Sequence, residues 1–290
     1  MSVPMKGVAA TLDELVAPLP LVEFLSLLRE RKLAFLRGVH TGRYGGTLGW
    51  HGLRRLFERG EHPRLDHIML AKESVPLPAE RWSSEGRIDV AKLDGYLARG
   101  FSLIVTHIED HVPALGALCA DIAARIHESC YAGAIVTEGS GGAFKTHFDP
   151  EDLVILQVEG TKRWQIFGPA VPNPVRGMEK PPVPKTEPVF DEILAPGDLL
   201  FVPAGHWHHC RNGPERSVHL GIFFTPPTGW HAIRALTSQL LSDEIFRAPL
   251  SRLQNPSDLA AIEADIKSRL AERISALKLG DFVRGWTKKD

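Results

Sequence analysis

Residues 146–169 read THFDPEDLVILQVEGTKRWQIFGP, and residues 196–212 read PGDLLFVPAGHWHHCRN. The first stretch predicts a strand from Leu153 to Val158, a tight turn at Glu159-Gly160 and a returning strand from Arg163 to Phe167, because glycine accepts the positive φ of such a turn. The second stretch predicts a turn followed by an apolar strand. Short strands separated by glycine and proline are typical of an antiparallel sandwich or barrel.

The two stretches also contain a possible set of metal ligands. Side chains alternate along a strand, so His147 and Asp149 point to one face and can bind the same ion. His208 then completes two imidazoles and one carboxylate, the ligand set that holds Fe(II) and leaves coordination positions open. The tripeptide His107-Ile108-Glu109 offers a competing ligand pair, but no glycine five residues before it and no hairpin at matching distance accompany it.

Three histidines crowd the second stretch, and the spacing selects between them. Alternation places His206 on the same face as His208, so His206 competes for the ligand role. The spacing of Pro203, Gly205 and His208 favours His208 as the ligand. His206 is then a group that supports the ligands or faces a substrate, as is Phe144 upstream. Cys210 is interpreted as a small buried residue rather than a metal-binding thiolate.

Lys162 begins the returning strand directly after the Glu159-Gly160 turn. A lysine that points into a barrel is destabilising unless it meets an anion. Lys162 is therefore a candidate counter-ion for the far carboxylate of a dicarboxylate that chelates the metal with its other end. On spacing alone the alternative stays open, namely that Lys162 and Arg163 form a solvated hairpin tip.

Both stretches resemble the cupin motifs. The second motif, G-x5-P-x-G-x2-H-x3-N, is matched at each fixed position from Gly197 to Asn212. The first motif is altered, because Asp149 stands where cupins usually have a second histidine and Leu153 where they usually have a glutamate. Gly141, separated from His147 by five intervening residues, keeps the expected spacing. This resemblance implies three protein ligands rather than four.

A longer pattern resembles the JmjC oxygenases, most closely the subgroup that includes ribosomal oxygenases and the asparaginyl hydroxylase acting on hypoxia-inducible factor. It covers about residues 85–225 and is matched by His147, Asp149, Gln157, Gly160, Lys162, Arg163, Trp164, Pro196, Gly197, Asp198, Pro203, Gly205 and His208. In that family the three metal-ligand positions bind Fe(II), and the lysine at the Lys162 position binds the distal carboxylate of 2-oxoglutarate. Further co-substrate contacts are open among Thr137, Thr146, Tyr131 and His219, because Gly221 stands where some relatives have a hydroxyl residue.

The resemblance implies a 2-oxoglutarate-dependent dioxygenase (hydroxylase). It would use O2 to hydroxylate a C–H bond of a protein or peptide side chain or an amino-acid-like substrate, releasing succinate and CO2. Four alternatives remain: a metal-dependent cupin enzyme that does not use 2-oxoglutarate, a small-molecule or RNA-directed hydroxylase, an N-demethylase of the same family, and a non-catalytic binding module.

The 290 residues divide into three predicted regions. Residues 1–99 form an N-terminal mixed helical and strand (α/β) region, residues 100–226 a JmjC/cupin double-stranded β-helix (jelly-roll) core, and residues 227–290 a helical region. The fold class is therefore mainly β with helical flanks. In the last region an apolar stripe predicts a long helix with Ser257 as N-cap and Gly280 as its stop. Such a stripe needs a partner, which favours a possible homodimer through the C-terminal helices.

Bulk composition restricts the possible partners. The formal net charge is −1, so no strong basic field favours nucleic acid. The sequence starts without the apolar segment of a signal peptide, and no apolar run approaches the length of a membrane span. Three cysteines without CxxC spacing indicate a reduced protein, and we expect a cytoplasmic location without membrane contact.

Overall fold

The computed structural model describes residues 7–252 and 255–286, and the chain divides into two compact units, Met1–Thr225 and Pro226–Asp290. The strands are β1 (Ala34–Leu36), β2 (Ile68–Lys72), β3 (Val75–Leu77), β4 (Ser83–Ser84), β5 (Arg87–Ile88), β6 (Ser102–Thr106), β7 (Ser129–Thr137), β8 (Asp152–Glu159), β9 (Lys162–Pro169), β10 (Phe190–Leu194), β11 (Leu199–Val202), β12 (His206–Asn212) and β13 (Ser217–Thr225). The helices are α1 (Leu12–Val16), α2 (Leu21–Glu30), α3 (Gly45–Leu48), α4 (Trp50–Glu58), α5 (Val90–Leu97), α6 (Pro113–Ile126), α7 (Gly229–Leu240), α8 (Pro256–Ala276) and α9 (Leu279–Gly285).

Two antiparallel sheets form the core of the first unit. The larger sheet has the order β1-β11-β8-β13-β7-β6-β2-β3, and the smaller sheet has the order β10-β9-β12. The predicted hairpin of β8 and β9 is wrong in one respect, because these strands are joined by a tight turn but pair within different sheets. Such crossing between two sheets defines a double-stranded β-helix, so the predicted fold class is confirmed.

The turn between the sheets depends on Gly160. Its φ is +61°, and a Cβ at this position would lie 2.0 Å from the backbone oxygen of Arg216. The side chain of Gln157 secures the same turn, donating from Nε2 to the oxygen atoms of Glu159 and Gly160 at 2.9 and 3.0 Å. The chain can therefore turn sharply enough to start β9, with Lys162, on the opposite sheet.

Alternate residues of β8 enter two different apolar clusters. Leu153 and Ile155 pack with Trp164 and Ile166 of the smaller sheet, so this cluster fills the space between the sheets. Residues at the alternating positions, including Val154, join the cluster on the outer face of the larger sheet. Because β8 is buried on both faces, it reads as a continuous apolar run. Each such side chain contributes about 1.5–3 kcal/mol through burial.

The N-terminal helices cover the outer face of the larger sheet. Phe24 of α2 contacts Phe201 and Phe224 in edge-to-face geometry, with ring centroids 5.2 and 6.5 Å apart. Strands β1, β2 and β3, all from the predicted N-terminal region, pair within the same sheet as the predicted core. The structure therefore shows no division of the sheet at residues 99/100.

The second unit is helical within its described residues. Thr228 caps α7 in a capping box with His231. The predicted stripe helix is present as α8, but its N-cap is Asn255 rather than Ser257, because Pro256 occupies the first helical position. It ends at Ala276, so Gly280 does not stop it and lies instead within α9. Leu259 and Ile274 remain 43% and 54% exposed, so this unit leaves part of the apolar stripe uncovered.

Candidate metal centre

The three residues predicted as metal ligands lie together in the structure. The backbones of His147 and His208 pair through two hydrogen bonds, with N···O distances of 3.0 and 2.7 Å. The Nε2 atoms of His147 and His208 lie 3.9 and 3.6 Å from Oδ2 of Asp149. All three ligand atoms lie within 4.8 Å of one another, which is close enough for one ion to contact them.

The second nitrogen of each ligand histidine is fixed by the backbone. Nδ1 of His147 lies 2.8 Å from the oxygen of Lys145, and Nδ1 of His208 lies 3.1 Å from the oxygen of His206. A carbonyl can only accept, so we assign the proton to Nδ1 and a free lone pair to Nε2 in both rings. Burial, with a contribution from His147, lowers the pKa of His208 to about 4. This ring is therefore neutral near pH 7, as a metal ligand must be.

Neighbouring residues brace the segment that carries Asp149. The backbone N–H of Gly205 donates to the oxygen of Asp149 at 2.8 Å. Phe148 points away from the ligands and contacts Trp207 edge-to-face, with ring centroids 4.9 Å apart. The alternation predicted for His147, Phe148 and Asp149 therefore matches the contacts of these three side chains.

Lys162 is buried beside the triad rather than solvated. Only 2% of it is exposed, and its Nζ lies 3.1 Å from Oγ1 of Thr137 and 3.4 Å from Nδ1 of His219. No ion pair joins Lys162 to a carboxylate in residues 7–252 or 255–286, and burial lowers its pKa. Thr137 is itself held by Ser102 at 2.9 Å. The structure thus contradicts the interpretation of Lys162 as part of a solvated hairpin tip. Its ammonium group is buried, with Thr137 and His219 as polar neighbours.

Tyr131 lies elsewhere. Its ring is parallel to those of Phe223 and His107, with centroids 4.6 and 4.9 Å away, and its hydroxyl interacts with Arg176. Tyr131 precedes Thr137 by six residues on β7, which is about 20 Å at the rise of a strand. Tyr131 and Thr137 therefore cannot bind the same end of a small dicarboxylate, and a co-substrate contact of Tyr131 stays a prediction.

The other two predicted neighbours of the triad occupy different positions. The ring of Phe144 lies tilted against that of His147, with centroids 5.2 Å apart. Nδ1 of His206 lies 3.0 Å from the oxygen of Pro203. The register of β12 with β9 shifts between His206 and His208, and the role of His206 as a supporting or substrate-facing group stays a prediction.

One feature beside Asp149 was missed by sequence reasoning. A cavity of about 310 Å³ is lined by Phe148, Asp149, Glu151, Arg176, Met178 and Lys180, among others. Glu151 is 4% exposed and accepts a hydrogen bond from Nε of Arg176 at 3.1 Å. Arg176 lies in the proline-rich segment between β9 and β10, 25 residues from Glu151, and no motif links the two positions.

The competing pair His107 and Glu109 also comes close together, with Asp110 as a third possible ligand. Glu109 is buried, and its Oε2 accepts a hydrogen bond from the backbone N–H of Ala132 at 2.9 Å. Its Oε1 lies 3.2 Å from Nδ1 of His107. These contacts give Glu109 a structural role in tying the segment after β6 to β7.

The two sheets place the protein in the double-stranded β-helix class, and the three convergent side chains form a candidate metal site. A model of the JmjC domain matches residues 117–231. This part of the chain includes all three predicted ligands and most of the stretch that carries the motif resemblance.

Among curated proteins, the chain is 32% identical over 148 residues to a bifunctional lysine-specific demethylase and histidyl-hydroxylase NO66 of Drosophila willistoni, covering 49% of this chain and 19% of that protein. It is 26% identical over 257 residues to Ribosomal oxygenase 1 of Homo sapiens, covering 84% of this chain and 40% of that protein. The chain thus spans less than half of the length of these relatives.

Among solved structures, the X-ray structure of E. coli ycfD is similar with a TM-score of 0.56 at 17% identity, covering 89% of this chain and 68% of that one. A structure of YcfD, a ribosomal oxygenase from Escherichia coli, in complex with cobalt and 2-oxoglutarate is similar with a TM-score of 0.54 at 17% identity, covering 87% and 66%. At this identity the likeness supports the shared fold.

Proposed function

We propose that this protein is an Fe(II)- and 2-oxoglutarate-dependent oxygenase that hydroxylates a C–H bond of a polypeptide side chain. The observation that carries the proposal is the juxtaposition of an open His-Asp-His ligand set with Lys162, a buried cation that lacks a carboxylate partner among the described residues. Bound Fe(II) would supply the activation of O2, coupled to the oxidation of 2-oxoglutarate to succinate and CO2.

The residues present fit both groups. His147, Asp149 and His208 would hold the metal, since Nε2 of His147 and Nε2 of His208 lie 3.9 and 3.6 Å from Oδ2 of Asp149. Lys162 would bind the distal carboxylate of 2-oxoglutarate, with Thr137 and His219 orienting its ammonium group. An anion bound there would also stabilise the positive charge of Lys162, which burial has removed from water.

The cavity beside Asp149 is the candidate substrate site. Its apolar walls include Phe148 and Met178, and its polar groups are the Glu151–Arg176 ion pair, so it has the mixed lining of a side-chain site. The names of the relatives, ribosomal oxygenase and histidyl-hydroxylase, support a protein substrate. Phe144, whose ring lies against that of His147, and His206 are proposed to face the substrate or support the ligands from outside this cavity.

Two alternatives are separated by specific observations. N-demethylation begins with the same hydroxylation, and the name of one relative includes a lysine-specific demethylase. Formaldehyde release would distinguish it from stable hydroxylation. A metal-dependent cupin reaction without 2-oxoglutarate is disfavoured by Lys162, which such a reaction leaves without an anionic partner.

The direct test is succinate formation by the Fe(II)-loaded chain with 2-oxoglutarate and a panel of ribosomal-protein peptides, free amino acids and RNA. Asp149→Ala should abolish turnover, because it removes the carboxylate ligand. His107→Ala is the matched control. It removes a histidine from the second cluster, which consists of His107, Glu109 and Asp110, so turnover should be kept. Wild-type rates in Asp149→Ala would refute the proposal.

We further propose that the chain forms a homodimer through α8. This helix leaves Leu259 and Ile274 about half exposed on the predicted stripe, and covering them would remove apolar surface from water. Sedimentation should show a dimer that Ile274→Asp dissociates; a wild-type monomer would refute this.

No helix among the described residues is long and apolar enough to span a membrane. The cytoplasmic location and the lack of nucleic-acid binding remain predictions.

A further inference from the structure

Trp164 contains a buried hydrogen-bond donor without an acceptor. The residue is 3% exposed, and its indole Nε1 has no partner within the described part of the chain. Trp82, which is equally buried, shows the usual arrangement, because its Nε1 donates to the oxygen of Leu77 at 3.3 Å. Buried donors are almost always paired in native proteins, since an unpaired donor destabilises the fold. The unpaired indole of Trp164 therefore requires an explanation.

The position of Trp164 suggests one. It follows Lys162 by two residues on β9, so both side chains lie on the same face of the strand. Its ring centroid lies 5.8 Å from that of His208 and 5.4 Å from that of His219. His208 is a proposed metal ligand, and His219 contacts Lys162. The indole thus lies between the metal ligands and the buried cation.

We propose that the indole N–H of Trp164 is a further binding group for the co-substrate and donates a hydrogen bond to a carboxylate oxygen of 2-oxoglutarate. This inference rests on the proposed function. A dicarboxylate that extends from the triad to Lys162 brings an anionic acceptor into the region that the indole borders. The donor is then unpaired only while the ligand is absent, and binding of the ligand satisfies it.

Two buried tryptophans provide a matched comparison. Trp164→Phe keeps an aromatic ring but removes the N–H group. Calorimetry on Zn(II)-loaded protein, with 2-oxoglutarate as the titrant, should show about tenfold weaker binding, because one charge-assisted hydrogen bond is lost. The ligand-free variant should lose less stability than Trp82→Phe, because both changes shrink a buried ring but only the change at Trp82 also removes a formed hydrogen bond.

Trp82→Phe should give the opposite pattern. It loses a formed hydrogen bond, so its urea midpoint should fall while its affinity for 2-oxoglutarate stays at the wild-type value. A purely structural role for Trp164 would destabilise both variants to a similar extent and leave their affinity for 2-oxoglutarate unchanged. Wild-type affinity in Trp164→Phe, or equal weakening in both variants, would overturn the inference.

A second measurement uses the wild-type chain and does not depend on the folding of a variant. The six tryptophans give separate indole N–H signals in nuclear magnetic resonance spectra of 15N-labelled protein. Addition of 2-oxoglutarate to the Zn(II)-loaded chain should move one indole proton downfield, as a new charge-assisted bond does. If 2-oxoglutarate binds and no indole signal moves downfield, the inference is refuted. If the wild-type chain does not bind 2-oxoglutarate at all, the proposed function itself fails.

Discussion

Replacing Lys162 by methionine should weaken co-substrate binding and stabilise the ligand-free protein. Methionine keeps the unbranched shape of lysine but removes the charge. The wild-type ammonium is 2% exposed and has two neutral neighbours, Thr137 at 3.1 Å and His219 at 3.4 Å. Two neutral partners compensate the desolvation of an ammonium only in part. We therefore expect the urea-unfolding free energy of ligand-free Lys162→Met to exceed that of wild type by about 1–3 kcal/mol.

Binding should change in the other direction. A hydrogen bond to a charged group contributes about 1.5–3 kcal/mol, so the dissociation constant of 2-oxoglutarate should rise by roughly tenfold to a hundredfold. Calorimetry with the metal-loaded protein measures this directly. Loss of stability in Lys162→Met together with unchanged affinity would refute the reasoning, because Lys162 would then be a structural residue.

The pH dependence gives an independent check on the same residue. Burial lowers the pKa of Lys162 below its usual value of 10.5. Between the folded and unfolded pKa values the unfolded chain binds more protons, so the stability of the wild type rises with pH in that window. In Lys162→Met this contribution should be absent.

Two further perturbations probe regions around the site. Burial, reinforced by Asp152, raises the pKa of Glu128 from 4.5 to about 8, so the folded chain keeps a proton that the unfolded chain releases. The free energy of unfolding of the wild type should therefore fall as pH rises from 5 through 8, by up to about 5 kcal/mol. In Glu128→Gln most of this pH dependence should disappear, as measured by urea midpoints at each pH. An unchanged pH dependence would contradict the assignment. Arg176→Ala should loosen the segment between β9 and β10, because it removes the ion pair with Glu151. The measured result should be hydrogen exchange of backbone amides near residue 176 that is about tenfold faster. Lys185→Ala, in the same segment, is the control, and equal acceleration in both would argue against the ion pair.

The convergence of the three proposed metal ligands could be predicted from the sequence because it depends on local rules. Alternation along an extended segment separates His147 and Asp149 from Phe148, and the glycine and proline spacing identifies His208. The bulge between His206 and His208 shifts the pairing of β12, and its position cannot be inferred from residue types alone.

Long-range contacts explain the remaining differences. The pairing of β8 and β9 with strands of different sheets depends on the complete topology, so a strand-turn-strand pattern resembled a simple hairpin. Tyr131 packs against Phe223 and His107, and these long-range ring contacts cannot be inferred from the sequence pattern. The pairing of Glu151 with Arg176 joins a strand start to a loop without regular structure, which periodicity cannot detect.

The most direct test of the metal centre is a crystal grown anaerobically with Fe(II) and measured at the iron absorption edge. We expect an anomalous-difference peak within bonding distance of Nε2 of His147, Nε2 of His208 and the carboxylate of Asp149. An absent peak at that position, or a peak between His107 and Glu109 instead, would contradict this assignment.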